Sequence, residues 1–382
     1  MKQLVNFDNS ATSFPKPDSV RQAVMSAFTR YGGNPGRGGH RLSAETAEAV
    51  YSVREQAAQL FAAEPENTAF TSNCTLALNM AIKGMMQNGG HIIISGYEHN
   101  AVLRPVHTLA KRRIASYSAA TVSDDDDETL ENIRSLIRSD TKCVCCTAAS
   151  NVTGRILPYR RIAELCKSYG LCFIVDAAQA AGLLDISLND GMNFICTAGH
   201  KALYGPSGTG LLVSDGRFTL STVIEGGTGA TSSEPEQTPF APERYESGTV
   251  NTAGILGLGA GIRFVRSKGT KNILAHELSL CDRLEEGLRR AGGVKLYPCE
   301  RRVPVVSFNI GEFNAQAVSA RLSDKGFMLR GGLHCAPLAH RAIGTLGQGT
   351  VRFSPSVFST RQQTDALVRA VAQTAAELGK GL

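Results

Sequence analysis

The stretch LCFIVDAAQ, residues 171–179, and the stretch NFICTAGHKALYGPSGTG, residues 193–210, decide how this chain is read. The first is an apolar run that ends in Asp176, two alanines and Gln179. The second is a shorter apolar run that delivers His200 and Lys201 just ahead of a glycine-rich loop. Apolar runs of this length, flanked by helical periodicity, mark parallel strands covered on both faces. Ligands of such sheets bind beyond the carboxyl ends of the strands, where Asp176 and Lys201 both fall. An amine and a carboxylate at one sheet edge suit pyridoxal phosphate, which needs a lysine for its Schiff base and an acid to keep its pyridine nitrogen protonated. Taken singly, the Asp reads as a capping residue and the Lys as a solvated side chain. The pair, with Gln179 and His200 beside it, reads as a cofactor site.

The bulk properties leave room for this. At 382 residues the chain exceeds one ordinary core, which predicts one large and one small domain. The formal charge of +6 is modest, and basic residues are scattered at 111–113, 160–161 and 301–302, so no stripe argues for nucleic acid. Residues 1–20 carry no basic-then-apolar signal pattern and no apolar stretch reaches membrane-spanning length, which predicts a cytoplasmic protein away from the membrane. Of ten cysteines, Cys143, Cys145, Cys146, Cys172 and Cys196 sit in strand-like runs, where a thiol behaves as a small hydrophobe. Metal-ligand spacing is missing, so a reducing compartment and no metal are expected.

Strand-like runs at 68–71, 91–95, 143–148, 171–176, 194–197 and 210–213 alternate with helical stretches such as 75–86, 129–137 and 159–169. A glycine-rich loop at 31–40 precedes a helix that runs to about 61, with Ser43 as its N-cap. The acidic run 124–128 reads as a loop with helix-start charges. Residues 226–248, rich in Gly, Thr, Ser, Glu and Pro, read as a long functional or mobile loop. Helices then dominate 255–291. Strands at 303–310, 328–329 and 351–353, with covering helices at 275–290 and 364–378, read as a smaller α+β domain.

Other segments carry chemistry of their own. Residues 71–75 (TSNCT) join a strand to a helix, and a helix N-terminus with hydroxyls nearby suits a phosphate. His99, directly after a strand, reaches the same sheet edge, where it could stack on the pyridine ring and act as an acid or base near neutral pH. Asn151 also follows a strand and is a candidate donor to the ring oxygen or a substrate carboxylate.

Together these segments resemble the cysteine desulfurase and selenocysteine lyase family, in the class-V aminotransferase-like branch of fold type I pyridoxal-phosphate enzymes. The resemblance covers nearly the whole chain and rests on FDNSAT (7–12), NPGRGGHRLS (34–43), YEHNAV (97–102), SNVTG (150–154), VDAAQA (175–180), AGHKALYGPSGTG (198–210), YESGTVN (245–251) and RGGLHCAPLAH (330–340). It implies an α/β fold: a large domain, 16–260, with a mostly parallel seven-stranded sheet, and a small α+β domain formed by 1–15 and 261–382. By resemblance Lys201 would carry the cofactor, Asp176 would face its pyridine nitrogen, Gln179 its ring hydroxyl, and His99 would stack on the ring. His200, Cys74, Thr75 and Thr249 match phosphate contacts, Thr249 reaching across from the partner subunit, so a homodimer is implied. Arg352 matches the arginine that clamps the substrate carboxylate, and Arg330, Asn34 and Arg37 would line the substrate entrance.

Residues 330–340 resemble the active-site segment of the group-II desulfurases. Cys335 would take sulfur from L-cysteine as a persulfide, leaving L-alanine, and hand it to an acceptor protein. L-selenocysteine as substrate, or another class-V lyase or aminotransferase activity on a small amino acid, is the alternative. The chain departs from the family pattern at Ala198, where a serine is usual, at Cys74, where threonine is common, and at Leu333, where a polar residue often stands.

Overall fold

A computed structural model describes residues 4–36, 39–229 and 231–379. The chain opens with β1 (Val5–Asn6), then α1 (Asp18–Thr29) and α2 (Arg41–Phe61). Helix α2 begins earlier than Ser43. His40 is its N-cap, the ring Nδ1 accepting the Ser43 amide at 3.3 Å, while the buried Ser43 hydroxyl donates to the Asn34 carbonyl. A hydroxyl that has found a partner in the loop before the helix no longer has to cap it.

Strands and helices then alternate: β2 (Thr68–Thr71), α3 (Cys74–Met86), β3 (His91–Ser95), α4 (Asn100–Lys111), β4 (Ser116–Ala120), α5 (Asp126–Arg134), β5 (Thr141–Thr147), α6 (Tyr159–Ser168), β6 (Cys172–Asp176), β7 (Phe194–Ala198) and β8 (Gly210–Ser214). They form a seven-stranded sheet in the order β2-β8-β7-β6-β5-β3-β4. Its strands are parallel except β8, which runs against both neighbours.

The apolar runs are continuous because both faces are covered. Val144, Cys146, Phe173 and Val175 pack into the core on one side, and Cys143, Cys145, Cys172 and Ile174 into the core on the other. The strand-borne thiols are therefore packing residues, and burial pushes the pKa of each upward. Edge strand β4, read as SYSAA, is only half-buried and has no strong strand signature. The described residues of 226–248 are irregular apart from a 3₁₀ turn at Glu243–Tyr245. They are anchored by Glu246, whose carboxylate accepts from Arg54 at 2.6 and 2.8 Å and from the Phe70 amide at 2.6 Å.

Helix α7 (Thr252–Lys268) packs against α1 and α2 and leads into α8 (Thr270–Arg289). The remaining chain supplies β9 (Val294–Leu296), β10 (Val306–Ile310), α9 (Ala315–Asp324), β11 (Phe327–Met328), β12 (Arg330–Gly332), α10 (Pro337–Ala342), β13 (Thr350–Phe353) and α11 (Arg361–Gly379). Strands β12-β13-β10-β9 make an antiparallel sheet around a core that includes Leu280, Leu284, Phe308, Phe353, Leu367 and Val371. Strand β1 pairs with β11, and Phe7 packs on Phe353 with ring centroids 4.6 Å apart. This seating brings Asp8 beside Ser354.

Candidate active site

The carboxyl ends of β5, β6 and β7 converge on a cavity of about 180 Å³. Lys201, Asp176, Gln179, His99, His200, Cys74, Thr75, Asn151, Arg330 and Arg352 all line it, as do Ser10 and His334. Lys201 arrives there because β7 turns sharply after Ala198. A Cβ on Gly199 would lie 2.2 Å from the Thr209 hydroxyl, so only glycine permits the turn. Burial holds the Lys201 pKa below its ordinary value, with Asp176 opposing the shift, so more of the amine is free of its proton than in an exposed lysine.

Asp176 ends β6 with its Oδ1 accepting the Ala178 amide at 2.9 Å, and the Cys74 thiol lies 3.5 Å from the same oxygen. Gln179 donates to the Ser10 carbonyl at 3.1 Å. Helix α3 starts at the cavity wall, capped by Asn73, whose Oδ1 accepts the Leu76 amide at 2.8 Å. The amides of Cys74 and Thr75, in the first turn, have no helical carbonyl to reach. His200 stands nearby with a buried Nδ1 that finds no protein partner, and burial lowers its pKa to about 4. A helix N-terminus and an unpartnered ring nitrogen are suited to an oxyanion group.

His99 is the N-cap of α4. Its Nδ1 accepts the Ala101 amide at 3.0 Å, which puts the proton of the neutral ring on Nε2. Burial pushes its pKa to about 4, so the imidazole is neutral at neutral pH and does not titrate there as the sequence reading expected.

Cys335 is exposed, on a loop between β12 and α10. His334 and Cys335 both adopt left-handed backbone, with φ of 48° and 59°, a pose that side-chain-bearing residues take only when held. Three contacts hold it. The Asn100 amide donates to the Cys335 carbonyl at 2.7 Å, Asn151 Nδ2 donates to the His334 carbonyl at 2.7 Å, and His334 Nε2 lies 3.0 Å from the Thr350 carbonyl. One N–H of Asn151, expected for cofactor or substrate, is thus committed to the loop. The Arg330 guanidinium donates to Cys335 Sγ at 3.6 Å, setting a positive charge beside an accessible sulfur. That is the environment of reactive cysteines.

Arg352 is 1 % exposed. It donates to the Asn151 carbonyl at 3.0 Å and to Asp8 Oδ1 at 2.7 Å, while its Nε has no partner. Asp8 was missed as a site residue, although it lies within the FDNSAT segment. Asn34 and Thr249 do not line the Lys201 cavity of their own chain. They meet each other instead, Asn34 Nδ2 donating to the Thr249 hydroxyl at 3.4 Å. Arg37 lies outside the described residues. Among the described residues no cluster of three or more metal-ligating side chains occurs, and no helix is long and apolar enough to cross a membrane.

Glu98, next to His99, is wholly buried. Its Oε1 accepts from the Ser95 hydroxyl and from the Thr147 amide at 2.8 Å, and its Oε2 has no partner. Burial raises its pKa to about 8. An unfolded glutamate ionises near 4.5, so stability falls as pH climbs from there towards 8. Glu98→Gln, which copies the neutral carboxyl, should unfold at a higher temperature than the parent above pH 8 and match it at pH 5. Thermal unfolding at the two pH values checks this.

The sequence model of the family described as aminotransferase class-V matches residues 5–367. The chain belongs to the class-V aminotransferase family, whose members use pyridoxal phosphate. It is 33 % identical to a cysteine desulfurase of Serratia proteamaculans over 96 % of this chain and 92 % of that one. It is 30 % identical to a probable cysteine desulfurase of Pyrococcus abyssi over 96 % of this chain and 93 % of the other. The apo structure of a cysteine desulfurase from Thermococcus onnurineus superposes with a TM-score of 0.89 at 30 % identity, covering 99 % of this chain and 95 % of that one. The seven-stranded, mostly parallel sheet expected of a fold type I enzyme is therefore present.

Proposed function

We propose that this protein is a pyridoxal-phosphate-dependent cysteine desulfurase that converts L-cysteine to L-alanine and takes the sulfur onto Cys335 as a persulfide. One observation carries the reading. An exposed cysteine, held in left-handed backbone, takes a hydrogen bond from Arg330, and Arg330 lines the cavity that holds a half-buried lysine and a buried aspartate. The chain's near-full-length likeness to proteins named cysteine desulfurase supports it.

The residues present fit the cofactor. Lys201 would hold it covalently and Asp176 would pair with its pyridine nitrogen. Gln179 would meet the ring hydroxyl, His99 would cover the ring, and His200 with the amides of Cys74 and Thr75 would hold the phosphate. Bound there, pyridoxal phosphate supplies an electron sink for the α-carbon of the amino acid. Arg352 fixes the substrate carboxylate through its planar fork. Lys201, once free, is the amine within the cavity that can move the α-proton. The neutral His99 keeps a second cation from the ring. Cys335 attacks the substrate sulfur as its thiolate, the S–S bond forming as the substrate's C–S bond breaks, and the carbon skeleton takes up protons to leave as alanine. A sulfur-acceptor protein or reductant then removes the persulfide.

The working unit is proposed to be a homodimer. Asn34 and Thr249 do not line the cavity of their own chain, and Met25 and Phe28 stand 61 % and 73 % exposed on α1, as expected of surface that a second copy covers. A cytoplasmic location fits the ten free thiols. The test is alanine release from L-cysteine by the purified, cofactor-loaded protein. About one equivalent should form per site and then stall until a thiol reductant is added. No alanine in either condition would sink the desulfurase reading.

A further inference from the structure

The side chain of the first residue of α3 makes a contact separate from the phosphate role proposed for its amide. Cys74 is buried, and its Sγ lies 3.5 Å from Asp176 Oδ1. The same oxygen accepts the Ala178 amide at 2.9 Å. Both donors therefore meet one oxygen of the carboxylate from two different elements, one from α3 and one from the turn after β6. Among the described residues no donor reaches Oδ2, and that atom is not one of the buried polar atoms without a partner. With Asp176 lining the cavity, Oδ2 is the oxygen left for a ligand there. A thiol is a weak donor in water. Here the thiol is buried, and burial together with the Asp176 charge keeps the proton on sulfur by raising the thiol pKa well above its usual value.

We propose that Cys74 is a positioning residue for Asp176. Its S–H and the Ala178 N–H pin Oδ1 and so fix the plane of the carboxylate, leaving Oδ2 for the pyridine nitrogen of the cofactor. This rests on the cofactor reading above. A hydroxyl at this position would do the same work more strongly. An apolar side chain of similar size would leave the carboxylate held on one side only.

The test uses full-length wild type, Cys74→Val and Cys74→Ser, each stripped of cofactor and titrated with pyridoxal phosphate while the visible absorbance is followed. Cys74→Val should bind the cofactor about threefold to tenfold more weakly, the scale of one hydrogen bond. The pH midpoint of its yellow absorbance should move by about half a unit, because a looser Asp176 stabilises the protonated pyridine less. Cys74→Ser should keep both properties near wild type, and Cys74→Ala serves as the apolar variant if valine prevents folding. An apolar variant equal to wild type in affinity and in pH midpoint overturns the inference. So does a serine variant as impaired as the apolar one, which would assign the effect to packing. If the wild type itself takes up no cofactor, the cofactor reading fails instead.

Discussion

Cys335→Ala should lower alanine formation from L-cysteine by at least about 10³-fold, while cofactor uptake and folding should stay at the parental level. The size of the effect follows from its place in the reaction. A nucleophile that forms the covalent product with the substrate sulfur has no substitute here: of the ten cysteines, Cys335 is the exposed one, and Cys74, the one that lines the cavity, is buried with its thiol against Asp176. The absence of a folding penalty follows from burial. Cys335 is exposed, and among the described residues the one hydrogen bond to its sulfur is that from Arg330 at 3.6 Å, so truncation leaves no hole in the core. Alanine keeps the Cβ, so the left-handed backbone at residues 334 and 335 is neither relieved nor worsened. A change in unfolding free energy within about 0.5 kcal/mol is expected, as for other surface sites. Alanine production, visible absorbance and thermal unfolding measured on one preparation check all three. Turnover of L-cysteine at the parental rate would remove Cys335 from the mechanism. Selenide release from L-selenocysteine that survives in the same variant would favour the selenocysteine lyase alternative.

Much of this site could be read before any coordinates, because its residues sit at strand ends and strands buried on both faces are the loudest signal a sequence carries. Asp176, His99, Asn151 and Lys201 each follow such a run, and the sheet brings them to one edge as its topology requires. What stayed hidden came from elements with weak local signals. Strand β4, made of Ser, Tyr and Ala, is an edge strand with little burial to impose a pattern. Strand β12 is Arg-Gly-Gly, shaped by pairing with β13 rather than by propensity. The start of α2 was misplaced because a histidine caps it, a role that local sequence assigns first to Ser43. The pairing of Asp8 with Arg352 joins residues 344 apart and exists because β1 docks on β11. Nothing within a short window announces a contact of that separation.

That pairing sets the second large effect. Arg352→Lys should cut kcat/KM for L-cysteine by about 10²-fold and Arg352→Ala by about 10³-fold, chiefly through KM. The guanidinium is fully buried and already gives one N–H to the Asn151 carbonyl and another to Asp8, so its remaining donors, Nε among them, are fixed in direction before any substrate arrives. A carboxylate entering the cavity meets a pre-aimed fork and does not have to order a mobile side chain. Lysine keeps the charge but offers a point donor that cannot serve Asp8, the Asn151 carbonyl and a substrate together. Alanine also leaves Asp8 without its partner, and since the Asp8 side chain is 26 % exposed the cost stays below the roughly 3–5 kcal/mol of breaking a fully buried pair. The alanine variant should therefore lose stability as well as affinity. Asp8→Asn separates the two effects, because it removes the opposing charge but leaves a side chain able to accept from the guanidinium. If Arg352 acts on the substrate carboxylate, Asp8→Asn keeps a KM within about tenfold of wild type while both Arg352 variants lose it. Steady-state kinetics with L-cysteine, and with an analogue in which an amide replaces the carboxylate, decide the matter. The analogue should be discriminated against by the wild type and far less by Arg352→Ala. Equal discrimination by the two proteins would place the carboxylate elsewhere and leave Arg352 as a structural clamp between β13, β1 and the loop that carries Asn151.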